Sequence, residues 1–568
     1  MFGWAGKILQ INLTTGEHSL IYPEEHLYKL YIGGKGLAGY YLKDHITKAW
    51  DSETMPILFF NGPLVNTQSP TSGKMTIMTR SPLTDTVGYG SVGGELGTQI
   101  KKAGYDGIII TGKSERLSGI EIINESIKFT DAQSLKGLTN KEVYARIYKE
   151  GSIASVGPAA ENGVYFASIT VDNNYMAGRN GLGLVMANKN LKYLSVYGTG
   201  TTSVFDPEGL KNAKKKIFSL AAANPVLQGK FGLAKIGTGA FFDLNDFEKT
   251  GSNSDTMDVI GYMKKHQPKR AGCRGCHILC KKVGKKKEFI PEWETMSYFG
   301  TLVENMNIET VFEANRICNE LGMDTISACA TLACYKDISG KKIVPVDILQ
   351  LLKDIGNGVN DGHILKLGSY RYAEKMGRID SSLTVKKQEL PSYDPRESYD
   401  MALAYITSTR GGCHSKAFPL ATDNSGSLKN TDKLSFNGKA QSIKLSEDLN
   451  AIVDSLTACK FIFFAATLDE YAQALNNVTG MHFTSQDLLR IGERIYFDER
   501  LMNAKNGFTS IDDDLPERYF KESVMNGKGV VLVPINRKAF LKTRSEYYHI
   551  RGLDENGIPL PETQHQMF

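Results

Sequence analysis

The chain reads as an α+β protein, and three observations predict it. Its first ~200 residues break into short runs rich in β-branched and aromatic residues, punctuated by Gly, Pro, Asn and Asp, as strands and turns are. Beyond about Thr202 the apolar residues recur instead at helical spacing. Neither part shows a repeat of roughly 20 to 50 residues, a heptad pattern or a low-complexity segment, so a sheet-rich part followed by a mainly helical part is the simplest organisation.

In chain order, Lys7 to Leu13, Ile57 to Phe60, Met75 to Thr79 and Gly107 to Thr111 are the expected strands. Pro207 to Ala223, Ile308 to Leu321 and Thr325 to Tyr335 are the expected helices. Asp206 or Thr310 can cap them, since a side-chain oxygen there accepts the unpaired N–H groups of a first turn. The final twenty residues read as an irregular tail.

A length of 568 residues exceeds what one hydrophobic core serves and implies several domains. Hydrophobic content of 41% and charged content of 23% are those of a folded globular protein. The formal charge of +5 is small for this length and no aromatic–basic interleaving is visible, which argues against a nucleic-acid partner. The opening MFGWAGKILQINL lacks an apolar export core, and no apolar run approaches the ~20 residues of a membrane helix, so a cytoplasmic location without a membrane span is expected. Eight cysteines in such a chain point to thiols or metal ligands rather than disulfides.

Chemistry is concentrated in AGCRGCHILC, where Cys273, Cys276 and Cys280 set three thiolates in C-x2-C-x3-C spacing. Such soft ligands suit zinc or an iron–sulfur cluster, and either needs a fourth ligand. His277 or a later cysteine would complete a zinc site, and Cys459 a four-iron cluster. Three glycine-rich stretches, Ile32 to Leu42, Gly88 to Gly97 and Met176 to Lys192, can bring backbone N–H groups close to phosphate or a heterocycle, with Arg179 as the natural anion contact. None carries a Walker or dinucleotide spacing, and a stretch of this kind alone is more often a tight turn than a ligand loop. NELGMD (Asn319 to Asp324) sets an amide and a carboxylate about a Gly at an expected helix end, and DSLTAC (Asp454 to Cys459) sets a carboxylate before a thiol. Both could accept hydrogen bonds from a ring rich in N–H groups, or simply cap helices.

Taken together with TSGKMTIMTRSPLTD, ELGTQIKKAGYDGIIITGK, AGRNGLGLVMANKNLK, ELGMDTIS and RGGCHSK, these motifs make nearly the whole chain resemble the tungsten-containing aldehyde ferredoxin oxidoreductase family. The resemblance implies an N-terminal β-rich domain (1–202) cradling two molybdopterins around one tungsten, held by pterin dithiolenes. Two mainly helical domains follow: 203–390, with the cysteine triplet and NELGMD, and 391–568, with His414 and Cys459. It implies that Cys273, Cys276, Cys280 and Cys459 hold one 4Fe-4S cluster. The pterin and phosphate contacts carried over are Lys74, Ser91, Gly93, Met176, Gly178, Arg179, Asn319, Asp324, Lys416, Asp454, Ala458 and Lys460, with magnesium bridging the phosphates. Glu294 as a general base and His414 as a hydrogen-bond donor would stand near the metal. The implied activity oxidises a small aldehyde to a carboxylic acid and passes electrons to ferredoxin or a ferredoxin-like subunit. The same fold also serves catalytic subunits of tungsten-dependent aromatic-ring reductases, and a tungsten-free scaffold or assembly subunit would keep it.

The chain departs from the family pattern at several positions. Asn319 replaces an Asp and so offers a weaker, uncharged acceptor. Thr457-Ala458 replaces Gly-Leu, which costs on the order of 1 kcal/mol if the turn keeps a positive φ. Lys74 and Tyr175 stand where arginines are common. Glu313-Ala-Asn-Arg316 lacks the His of the E-x-x-H motif that bridges dimers through iron. KKVGKKK, Lys281 to Lys287, is expected to steer an acidic electron carrier to the cluster.

Overall fold

The structure, a computed structural model, describes residues 1–230, 232–238, 263, 266–285, 289–417, 432–525 and 530–567. Strands β1 (Ile8–Asn12), β2 (Glu17–Ile21), β3 (Ile57–Phe60), β4 (Met75–Arg80), β5 (Val87–Val92) and β6 (Gly107–Thr111) form a mixed sheet in the order β2-β1-β6-β3-β4-β5. In it β1 and β6 run parallel and the other pairs antiparallel. A second six-stranded sheet, in the order β11-β10-β9-β12-β7-β8, is built from β7 (Ser118–Ile123), β8 (Ser126–Asp131), β9 (Ser152–Ser155), β10 (Ile169–Val171), β11 (Tyr175–Ala177) and β12 (Leu191–Tyr197).

Helices α1 (Gly34–Leu42) and α2 (Leu182–Asn188) lie within this sheet region. After it come α3 (Pro207–Ala223), the short hairpin β13 (Lys269–Ala271) and β14 (Lys281–Val283), α4 (Trp293–Ser297), α5 (Ile308–Leu321), α6 (Thr325–Ser339) and α7 (Pro345–Asn357). The remaining long helices are α8 (Tyr399–Thr407), α9 (Lys439–Ser455), α10 (Leu468–Thr479), α11 (Ser485–Lys505) and α12 (Arg537–Arg551), followed by α13 (Pro561–Met567). The α+β order expected from the sequence is therefore the order observed. No helix among the described residues is long and apolar enough to cross a membrane.

Strict alternation along the first sheet explains how the molecule is layered. In β3, Leu58 and Phe60 join one hydrophobic core while Ile57 and Phe59 join another, and in β6 Ile109 is set against Ile108 and Ile110 in the same way. The first core adds Tyr405 of α8, Ile452 of α9, Ile495 of α11 and Tyr547 of α12. The second adds Ile120 and Leu194 of the second sheet with Val311, Leu332 and Leu352 of α5 to α7. Each such buried side chain contributes about 1.5–3 kcal/mol, so the sheet is a shared wall on which both helical groups depend.

Two capping expectations resolve differently. Asp206 caps α3, accepting from Gly209 N at 2.9 Å. At α5 the cap is Asn307, which accepts from Glu309 N and Thr310 N, so Thr310 lies inside the first turn rather than before it. The expected irregular tail is corrected as well: it contains α13, which begins at a proline with Glu562 in its first turn.

Candidate functional site

The edge strands of the two sheets, β5 and β11, pack together, and beside them lies a cavity of about 680 Å³. Its wall includes Gly90 to Gly93 at the end of β5 and Tyr175 to Arg179 along β11, which are parts of the second and third glycine-rich stretches. Close approach explains Gly93: a Cβ there would stand 2.4 Å from Cys273 Sγ and 2.9 Å from the Tyr175 ring. The first glycine-rich stretch does something else. It forms α1 and packs on the end of α9, with Gly36 N donating to Ser455 Oγ at 3.1 Å, and it does not line the cavity.

Cys273, Cys276, Cys280 and Cys459 all line this one cavity, as free thiols. Thr71 ties the two distant segments together: Cys459 N donates to Thr71 O at 2.9 Å and Thr71 N donates to Gly275 O at 3.2 Å. Burial pushes the Cys276 thiol up to about 12, and raises Cys273 and Cys280, with the neighbouring Cys459 adding to each. Binding a metal there must therefore displace protons. Among the described residues no three His, Cys, Asp or Glu side chains converge as a single ion would require. His277 faces away, its ring centroid 3.6 Å from that of Phe218, so it does not complete a zinc site with the triplet. Four thiols spread over one wall suit a larger inorganic body.

Glu294, on α4, and His414 meet across the cavity wall, with His414 Nε2 and Glu294 Oε1 3.0 Å apart. Tyr393 packs on the imidazole at 5.6 Å between ring centroids. Behind them Asp454 pairs with both Lys416 Nζ and Lys460 Nζ at 3.2 Å. Burial opposes its charge, yet Lys416, Lys460, Lys35 and Lys74 hold its carboxyl well below the usual range. Lys416 itself is driven far down by burial and by Arg410. The Tyr89 ring sits among these cations, 3.8 Å from Lys416 Nζ, 4.5 Å from Lys35 Nζ and 5.4 Å from Arg410.

Lys74, Ser91, Gly93, Met176, Gly178, Arg179, Lys416 and Lys460 line the cavity, whereas Asn319, Asp324, Asp454 and Ala458 stand outside its lining. Asp324 caps α6 through Ser327 N and lies 3.6 Å from Arg179 Nε, so it holds that guanidinium in place. Ala458 N donates to Val453 O at 3.1 Å and closes the end of α9. Asn319 offers its backbone carbonyl to Asn140 Nδ2 at 3.2 Å. Arg316 is bound to Glu313 and Glu320, so the run that replaces the E-x-x-H motif forms a surface ion triad. The expected lysine edge is corrected in part. Lys281 pairs with Glu292 at 2.8 Å on the cavity wall, and Lys282 is buried, donating to the carbonyls of Leu233, Leu279 and Cys280. Lys286 and Lys287 lie outside the described residues.

Arg410 and Tyr89 lie inside RGGCHSK and the Gly88 to Gly97 stretch, but no spacing singles them out. Arg410 lines the cavity and donates to Tyr89 O and Cys413 Sγ. Its Nε and the Oδ1 of Asp454 are buried without a partner among the described residues. Tyr393 has no local signal at all. The fit to an anionic, two-part cofactor is good: the cations Lys35, Lys74, Arg410, Lys416 and Lys460 outnumber the carboxylates Asp454 and Glu499 among them, and unsatisfied polar atoms remain.

Comparison with known proteins bears on the chain's family and fold. Residues 8–198 match the family model described as aldehyde ferredoxin oxidoreductase, N-terminal domain, and residues 212–567 match that for domains 2 and 3. A tungsten-containing aldehyde ferredoxin oxidoreductase from Pyrococcus furiosus is 34% identical, over 98% of this chain and 97% of its own length, and one from Thermococcus kodakarensis is 33% identical with the same coverage. The WOR-like subunit of an aliphatic sulfonate oxidoreductase from Pyrococcus furiosus is 25% identical over 100% of this chain and 97% of its own. A solved structure, the active site complex BamBC of benzoyl coenzyme A reductase with 1,5-dienoyl-CoA, shares the fold with a TM-score of 0.86 at 19% identity, covering 100% of this chain and 97% of that one. With both family models matched in order and relatives above the 30% level along its whole length, the chain belongs to the aldehyde ferredoxin oxidoreductase family of tungsten-containing oxidoreductases.

Proposed function

We propose that this chain oxidises an aldehyde with water to a carboxylic acid, releasing two electrons and two protons, and passes the electrons to a ferredoxin-type carrier. One observation carries the reading: a single cavity is lined at once by the Glu294–His414 pair, by cations and by four thiols. A bound bis-molybdopterin tungsten would supply the two-electron oxidation and a 4Fe-4S cluster the onward one-electron relay. Cys273, Cys276, Cys280 and Cys459 would hold the cluster. Lys74, Ser91, Gly93, Met176, Gly178, Arg179, Lys416 and Lys460 would hold the pterins and phosphates, with magnesium sharing the phosphate charge. Asp454 fixes Lys416 and Lys460.

Glu294 is assigned as the general base that takes a proton from the water or hydrate, and His414 as the donor to the carbonyl oxygen. Their 3.0 Å approach sets the two side chains side by side. Glu294→Gln is expected to lower kcat for aldehyde-dependent viologen reduction by at least about 100-fold, with tungsten and iron contents unchanged. Full turnover with full metal content would remove the assignment. Elemental analysis of anaerobically purified protein tests the wider reading. Tungsten present without any aldehyde-dependent activity turns it towards the reductases, and iron without tungsten turns it towards a scaffold subunit.

A further inference from the structure

We propose that the exposed limb of the thiol loop, Arg274 to His277, together with the lysine face of α3, is the docking surface for a small acidic iron–sulfur electron carrier. The inference rests on the function proposed above and names the surface its partner would use. In the C-x2-C-x3-C loop the three thiols line the cavity, while Arg274, Gly275 and His277 between them are exposed. The loop thus lies between the thiols and solvent.

The neighbouring helix supplies charge at that point. Lys214 and Lys215 precede Phe218 by four and three residues, so all three share one face of α3. The Phe218 ring rests on His277 at 3.6 Å, which fixes that face beside the loop. Lys214 Nζ lies 5.6 Å from the same ring and 3.4 Å from Gln68 Oε1, and Lys215 is exposed. Exposed Lys269 and Arg270 on β13 enter the loop from its other end. Arg274 is 59% exposed, with Glu95 at 3.6 Å. Lys281 and Lys282 point inward, whereas Lys215, Lys269 and Arg270 set exposed positive charge on this side of the loop. Surface cations of this kind raise association rates with an acidic protein 10- to 1,000-fold, on the order expected for electrostatic steering, and salt removes the gain.

The test uses the holoenzyme and an acidic two-cluster ferredoxin as the probe, with association rates measured by biolayer interferometry at rising ionic strength. Lys214→Glu combined with Lys215→Glu is expected to lower the association rate at least about tenfold at low salt and to flatten its salt dependence. Lys285→Glu should change it less than about twofold, and reduction of a small viologen dye should be unaffected in both variants. An unchanged rate in the double variant, or a larger loss in Lys285→Glu, overturns the proposal. Absence of dye reduction in the unmodified enzyme would instead reject the functional reading, while the binding measurement still decides the surface.

Discussion

Thr457 holds a φ of +54°, a conformation that costs a β-branched residue about 1–2 kcal/mol. Its hydroxyl offsets this by accepting from Gly62 N at 3.2 Å and donating to Leu456 O at 2.7 Å. The turn therefore holds a positive φ without a glycine. Thr457→Gly should stay within about 1 kcal/mol of the parent in urea denaturation, since strain and hydrogen bond leave together. Thr457→Val, which keeps the strain and strands the Gly62 N–H, should lose about 2 kcal/mol or more. Asp498 shows a different residue-scale effect. Burial lifts its carboxyl from 3.8 to about 6, although Tyr31 OH donates to it at 2.9 Å. Between those values the folded state binds more protons than the unfolded one, so this group's contribution falls as pH rises through the window. Relative to Asp498→Asn, the parent should lose on the order of 2 kcal/mol of stability between pH 4 and pH 8, read from chemical denaturation across pH.

At the scale of elements, the end of α9 organises the site. It presents Asp454 to Lys416 and Lys460, and the turn after it delivers Cys459 to Thr71. Asp454→Asn leaves two lysines facing each other without their counter-charge and should cost about 3 kcal/mol in chemical denaturation. How far such elements could be read from sequence depended on their punctuation. β3 is bounded by Pro56 and Asn61, β6 ends at Gly112 with φ +74°, and α3 opens on Asp206-Pro207, and all three were legible to the residue. The chain around α1 was not, because a glycine that admits a neighbouring backbone looks the same in sequence as one that admits a ligand. Gly34 faces Asp454 O, where a Cβ would stand 2.5 Å away. Likewise, Cys273, Cys276 and Cys280 were legible from their C-x2-C-x3-C spacing, whereas Cys459 joined them only through the family resemblance. Tyr393 was not, because only the fold brings it to His414.

At the scale of the whole molecule, the two cores share the first sheet, so disrupting it exposes apolar side chains of both. Thermal unfolding followed by calorimetry and by tryptophan fluorescence should therefore give one coincident transition, with Trp4 and Trp293 in the first core and Trp50 packed against the second. Two separated transitions would show that the sheet divides.

Odd and even positions of β3 answer to opposite lobes of the protein. A nascent chain that paired this four-residue strand one step out of phase would hand each lobe its neighbour's side chains, and neither could close. The pairing parity of one short strand therefore bears on both cores at once.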